Sequence, residues 1–277
     1  MSSGTIRLRD AALGDHALVV RLFPDLLTGD PPPDLERWRD RFVPTSRIAL
    51  VDGEAAGYLY YDVLDGVGYI RNVVVDPAHR GRGLGRALVE DAGALMLARG
   101  CDRWQLNVRP ENDPAVALYR SVGLEIAFAS VALRLPWALV DRLPASTRPL
   151  EVVAAAADEL AAIAAAFDLP EGQLEQLAAV PRVFVRRLRD PEDPGALDLG
   201  VAAFDVTFPG CFPFRVGRAE DVGALLRGLR SLAEETDVIG VVVEGHDALA
   251  ELLIDAGAEV KLRFVHMRGP IRVASAS

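Results

Sequence analysis

Residues 69–86 constrain the fold more than any other part of the chain. Gly68 to Asp76 has the apolar, β-branched character of a buried strand, and Pro77 stops it because proline has no N–H to give to a ladder. The turn Arg80-Gly81-Arg82-Gly83-Leu84-Gly85-Arg86 follows, and Leu84, Leu88, Ala92 and Leu95 then recur at helix spacing up to Gly100. The sequence therefore dictates a strand, a glycine-rich turn and a helix in direct succession.

Such a junction is suited to an anion. Glycines at 81, 83 and 85 allow positive φ and close backbone approach. The first N–H groups of the helix point outward with the positive end of the dipole behind them. Arg80, Arg82 and Arg86 add charge, so the turn reads as a pyrophosphate site. A dinucleotide fingerprint does not fit, because counting from Gly81 places Arg86 where the third glycine belongs. The next strand, ending Leu106-Asn107-Val108-Arg109, also lacks a ribose-binding acid.

Composition removes other chemistries. Lys261 is the only lysine among 30 basic residues, so a Walker-type phosphate loop cannot be built, and a Schiff-base enzyme would have to use that one side chain. A formal net charge of −10 speaks against nucleic acid as partner. Cys101 and Cys211 are too few for a metal cluster or a disulfide framework, so no metal site and a reducing cytoplasm are expected. Met1 to Asp10 has no basic segment leading into an apolar core, and no apolar run reaches the roughly 18 residues of a membrane span, so neither secretion nor a membrane partner is expected.

At 277 residues the length suggests two domains. The first half reads as a strand (5–11), a helix (14–27), a break at Gly29-Asp30-Pro31-Pro32-Pro33 and a short helix (35–42). A hairpin (48–52 and 56–63), the strand and helix described above, a strand (104–108), a helix (114–122) and one or two strands (125–135) follow. Pro136, Pro144 and Pro149 mark a boundary. The second half reads as helices 152–167 and 171–179, strands 183–188 and 199–208, a helix 219–234, a strand 238–244, a helix 247–256 and a strand 260–268. The order recurs, which reads as a tandem duplication.

The spacing Arg80-x-x-Gly83-x-Gly85 after a Val-x-Pro strand end resembles the acyl-CoA signature of the GNAT superfamily of N-acyltransferases. Asn112-Asp113-Pro114-Ala115-Val116-Ala117-Leu118-Tyr119-Arg120-Ser121-Val122-Gly123-Leu124 resembles the same family's Asn-x-x-Ala-x-x-Leu-Tyr-x-x-x-Gly-Phe, with Leu124 in place of the aromatic residue. The resemblance covers roughly residues 5–140. It implies an α+β (mixed α/β) fold of two tandem GNAT-like domains, each a mixed, mostly antiparallel sheet flanked by helices. The expected domains are an active acetyltransferase domain at 1–140 and a degenerate GNAT-like domain at 150–277.

The resemblance further implies acetyl-CoA as cofactor and a small-molecule or peptide amine as acceptor, with a homodimer allowed. Cofactor contacts are expected from Val73, Val74, Val75, Arg80, Gly81, Arg82, Gly83, Leu84, Gly85, Arg86, Asn112 and Tyr119. Backbone amides near Val73 to Val75 would face the acyl oxygen where the strand splays from Trp104–Val108. Tyr119 is the expected catalytic acid, since tyrosine and thiol reference pKa values lie within about 2 kcal/mol of each other. Taken alone Tyr119 would be a packed aromatic, Asn112 a helix cap, His79 a solvated loop residue, and Trp38 and Trp104 core or pocket wall.

The strand positions at which many family members carry an acidic base read Arg71 and Asn72. Glu54, Asp62 and Asp65, ordered water or bulk solvent are the remaining candidates, and no base is assigned. That gap keeps open a non-catalytic CoA-binding sensor or scaffold as the alternative to a transferase. Asn112 and Gly123 stand 11 positions apart, as do His246 and Gly257 in the second half, where Leu253 stands 7 positions on from His246 as Tyr119 does from Asn112. Glu220 and Asp221 stand where the pyrophosphate would lie. The second half is therefore expected to keep the fold without the cofactor site, with His246 as a cap.

Overall fold

The computed structural model describes residues 5–27, 31–64, 66–206, 210–233 and 236–272, with Leu64 as backbone only. The expected features at Gly29, Asp30, Asp65, Phe208 and residue 234 lie outside the described residues.

The first half runs β1 (Ile6–Asp10), α1 (His16–Leu22) and α2 (Leu35–Arg37), which continues as a π-helical turn over Trp38–Phe42. It proceeds through β2 (Ser46–Val51), β3 (Glu54–Leu64), β4 (Val67–Val75), α3 (Leu84–Ala98), β5 (Arg103–Val108) and α4 (Asp113–Ser121). The second half runs β6 (Glu125–Pro136), α5 (Trp137–Val140), β7 (Glu151–Ala154), α6 (Leu160–Ala166), α7 (Gln173–Ala178), β8 (Val183–Arg189) and β9 (Gly200–Asp205). It ends with β10 (Gly210–Val216), α8 (Val222–Leu229), β11 (Val238–Glu244), α9 (Asp247–Asp255) and β12 (Glu259–Pro270).

Two readings need correction. Residues 152–154 are strand, not helix: Val152 and Val153 pair antiparallel with Leu188 and Arg187, and the alanine run becomes helical only from Leu160. β-branched side chains favour the strand, and an added Cβ on Gly228 would meet Val152 Cγ2 at 2.2 Å, so α8 seats closely on β7. β10 had no counterpart in the sequence reading, because Pro213 breaks the strand pattern. The ladder between β9 and β10 shifts register between Cys211 and Phe214, around that residue without an N–H.

The described residues form two compact units, 5–127 with 265–272, and 128–264. In the first unit the strand order is β1-β2-β3-β4-β5-β12. All neighbours are antiparallel except β4 and β5, and the outermost strand is the C-terminal run Val265–Pro270, paired with Val108–Arg103. Alternate strand residues face two cores. Ile70, Trp104, Leu106, Val265 and Met267 pack with Leu84, Leu88, Met96, Val116 and Tyr119 of α3 and α4. Ile48, Tyr58, Tyr60 and Val74 pack on the other face with Val19, Leu22, Trp38 and Phe42 of α1 and α2. Trp38 and Trp104 are both core.

The second unit repeats the plan as β7-β8-β9-β10-β11-β6, with β10 and β11 parallel and Ser130–Pro136 as its outermost strand. Leu225, Leu226, Leu229, Leu249 and Leu253 of α8 and α9 fill one face, and Leu160, Ile163 and Leu174 of α6 and α7 the other. The strand closing the first unit thus comes from the far end of the sequence, and the one closing the second unit precedes all its other strands.

Candidate active site

The first unit contains a slot between β4 and β5. They pair only from Val67↔Arg103 to Ile70↔Leu106, yet β4 continues to Val75 and β5 to Val108. Arg71 is the extra residue of a β-bulge, since Tyr60 pairs with Asn72 and Tyr61 with Ile70. A bulge bends the strand and strengthens its twist, which carries Val73, Val74 and Val75 away from β5. Their β5-facing backbone groups are released from the parallel ladder.

The glycine-rich turn lies at the end of β4. Asp76 caps a 3-10 turn over Pro77–His79 by accepting from Ala78 N–H, and also pairs with Arg21. These bonds hold its carboxyl below the usual range, the Arg21 hydrogen bond contributing most. Gly81 and Gly83 adopt φ of +73° and +87°, and a Cβ on either would meet nothing within 4 Å. Gly83 is the N-cap of α3 and offers no side-chain acceptor, so the first amides of the helix open onto free space. The turn is a cradle that side chains leave empty, which fits a pyrophosphate.

The arginines play different parts. Arg80 donates through Nε to the Val75 carbonyl at 3.0 Å and pairs with Asp25 at 2.6 Å, bracing the turn against β4 and the segment after α1. Arg86 lies near Glu90 at 3.3 Å and donates to Ser121 Oγ at 2.8 Å. Arg82 contacts His79 Nδ1 at 3.2 Å and has no carboxylate partner among the described residues. A Cβ on Gly85 would stand 3.4 Å from Leu118 Cδ2 and 3.9 Å from Val75 Cγ2, so the turn, β4 and α4 meet there. Leu84, by contrast, is buried in the core.

Asn112 caps α4, its Oδ1 accepting from Ala115 N–H at 3.3 Å. Tyr119 is buried and makes no hydrogen bond to any described residue. Burial pushes its phenol up to about 12. Against a free thiol near 8.5, the proton then prefers the phenol by about 5 kcal/mol. A phenol of raised pKa holds its proton and can donate it in a hydrogen bond.

The acidic candidates are poorly placed to act as bases. Glu54 is exposed at the β2–β3 turn, and Asp65 lies outside the described residues. Both oxygens of Asp62 are engaged, Oδ1 accepting from Tyr60 O–H at 2.7 Å and Oδ2 from Arg71 Nε at 2.9 Å. The sequence reading missed a polar row on this face of the sheet. It comprises Tyr60, Asp62, Tyr69, Arg71, Gln105, Asn107 and His266, the last with Nδ1 2.9 Å from Asn107 Oδ1 and Nε2 3.3 Å from Gln105 Oε1. The only signal was polar alternation at Gln105 and Asn107 between the apolar Trp104, Leu106 and Val108.

The second unit keeps the outline and changes the chemistry. β10 and β11 pair only at Gly210↔Gly240 and Cys211↔Val241. His246 caps α9, its Nδ1 accepting from Leu249 N–H at 3.2 Å, as Asn112 caps α4. Leu253 is fully buried. A Cβ on Gly217 would meet the Asp198 carbonyl oxygen at 2.3 Å, so that glycine serves packing and leaves no open cradle. Asp221 is buried and occupied by Ser146 and Arg148. Among the described residues there is no group suited to a metal ion and no helix long and apolar enough to cross a membrane.

Comparison with known proteins agrees with this geometry. The model of the acetyltransferase (GNAT) family matches residues 16–124. A GCN5-related N-acetyltransferase from Sphaerobacter thermophilus superposes with a TM-score of 0.67 at 19% identity, covering 96% of each chain. A GCN5-related N-acetyltransferase from Kribbella flavida gives 0.54 at 16% identity over 96% of this chain and 71% of that one. A tandem GNAT protein from the clavulanic acid biosynthesis pathway gives 0.56 at 18% identity over 98% and 100%. At these identities the likeness is one of fold. The slot and the cradle both lie within residues 16–124, the segment that matches the model of the acetyltransferase (GNAT) family.

Proposed function

We propose that the chain is an acetyl-CoA-dependent N-acetyltransferase acting on an amine of a small molecule or peptide, with its active half at 1–140 and a degenerate copy at 150–277. The supporting observation is the slot between β4 and β5, which opens beside the Gly81–Gly85 cradle and the Tyr119 helix. Acetyl-CoA, when bound, supplies a thioester carbonyl and a thiolate leaving group.

The amides of Gly81 to Arg86 and the charge of Arg82 hold the pyrophosphate, while Arg80 and Arg86 keep the turn in shape. Leu84 anchors α3 in the core, and Asn112 fixes the start of α4, the helix that carries Tyr119. Within the run Val73, Val74 and Val75, the amides that face β5 rather than β3 donate to the acyl oxygen as negative charge develops on it, a stabilisation worth about 3 kcal/mol per well-placed donor. Tyr119 donates its O–H to the departing sulfur. The proton that finally resides on sulfur balances the one lost from the attacking amine, and Tyr119 keeps its own.

Incubation with acetyl-CoA and a panel of amines, reading thiol release and acetylated product, tests the reading. Release that depends on an amine supports it. Tight CoA binding without release from any amine would return the chain to the sensor alternative. Calorimetry is expected to give one CoA site per chain, and two sites would overturn the degenerate second half.

A further inference from the structure

Resting on the transferase reading, we infer that the acceptor amine carries a carboxylate or similar planar anion, held by the Arg71 guanidinium at the lip of the slot. Arg71 directly follows Ile70, the last β4 residue paired to β5, and Asn107 directly follows Leu106, its partner. These two residues therefore flank the slot entrance on the face opposite α3 and α4. Whatever reaches the slot from this face passes between them.

Arg71 is held rigidly at that place. Its Nε donates to Asp62 Oδ2 at 2.9 Å and its guanidinium lies 3.8 Å from the centre of the Tyr69 ring. Both terminal Nη groups make no hydrogen bond to a described residue. A stacked and braced guanidinium with its fork free is pre-organised for two parallel bonds to a carboxylate. Asp62 is itself satisfied by Tyr60 and Arg71, and Arg41 donates to the Tyr60 hydroxyl at 3.3 Å. Arg41, Arg71 and Asp62 sum to one positive charge, on a chain whose net charge is −10. An ammonium with no anion of its own would be repelled there, whereas an amine with a nearby carboxylate would be oriented with its nitrogen toward Asn107 and the slot.

The test uses the full chain loaded with CoA and pooled N-acetyl amino acids, each matched with its N-acetyl amino amide, with binding read by ligand-observed saturation-transfer NMR. At least one carboxylate is expected to bind on the order of tenfold to a hundredfold more tightly than its amide. Arg71→Gln is expected to abolish that preference with CoA affinity unchanged, and Arg71→Lys, which keeps the charge without the fork, to reduce it less. Absence of carboxylate binding, amides binding as well as acids, or a preference that survives Arg71→Gln would each overturn the inference. Thiol release keeps the two readings apart. Release only with amines lacking a carboxylate overturns the acceptor class and leaves the transferase standing. Carboxylate-selective binding without release from any amine upholds the anchor and overturns the transferase.

Discussion

Replacing Tyr119 with phenylalanine separates catalysis from packing. The ring is 7% exposed and belongs to the core shared with Leu84, Leu88, Val116 and Leu106. Phenylalanine keeps that ring, and the hydroxyl has no hydrogen-bond partner among the described residues. Folding stability should therefore be unchanged or higher by up to about 1 kcal/mol, because a nearly buried unpaired hydroxyl leaves. Turnover should fall. A hydrogen bond to a developing thiolate in a low-dielectric site is worth about 3 kcal/mol, or roughly a hundredfold in kcat. CoA affinity should hold, since the proposed pyrophosphate site is the Gly81–Arg86 turn and not Tyr119. The assay combines pre-steady-state thiol release, to show that chemistry limits the rate, with calorimetry for CoA and a thermal melt. An unchanged chemical rate would refute the hydrogen-bond role. A melt lowered by many degrees would show instead that the hydroxyl holds structure.

Other perturbations address the scaffold. Gly83→Ala forces an L-residue to φ of +87°, which costs on the order of 1–2 kcal/mol, and should weaken CoA binding in calorimetry more than it lowers the melt. Truncation after Ala258 removes Val265, Met267 and Ile271 from the first core and bares the edge of β5. At about 2 kcal/mol per buried side chain it should unfold the first unit, as read by circular dichroism and loss of CoA binding. Asp76→Asn should lower stability near pH 6. Because the folded pKa of Asp76 is depressed, its contribution is present above 3.8 and is lost as pH falls through the lower folded value. The difference in Tm between wild type and variant should therefore close in acid.

The sequence was most legible where local chemistry is self-sufficient. The strand, proline stop, glycine turn and helix of residues 68–99 appear where the pattern places them, because each element is specified by its own residues. Asn112 and His246 cap the helices they precede for the same reason. Legibility failed where a partner decides. Val152 and Val153 extend an alanine-rich helical pattern and become strand only because β8 accepts them. Pro213 hides β10, whose ladder shifts register around it. The slot itself is invisible in β4 and β5, both ordinary apolar strands, because it consists of pairing that stops.

The candidate site divides in the same way. A run of seven residues encoded the cradle, since positive-φ glycines and helix amides are properties of contiguous backbone. Tyr119 stands out in the sequence only through its motif, and the packing that buries it comes from α3, β5 and the final strand. His266 stands 159 positions from Asn107 and joins it only because the last strand of the chain completes the first unit. Whatever depends on neighbours in the chain was written in the sequence. Whatever depends on strands meeting across the chain, namely the slot, the polar row and the free fork of Arg71, was decided by tertiary structure, because burial and ladder pairing act between segments that carry no local record of each other.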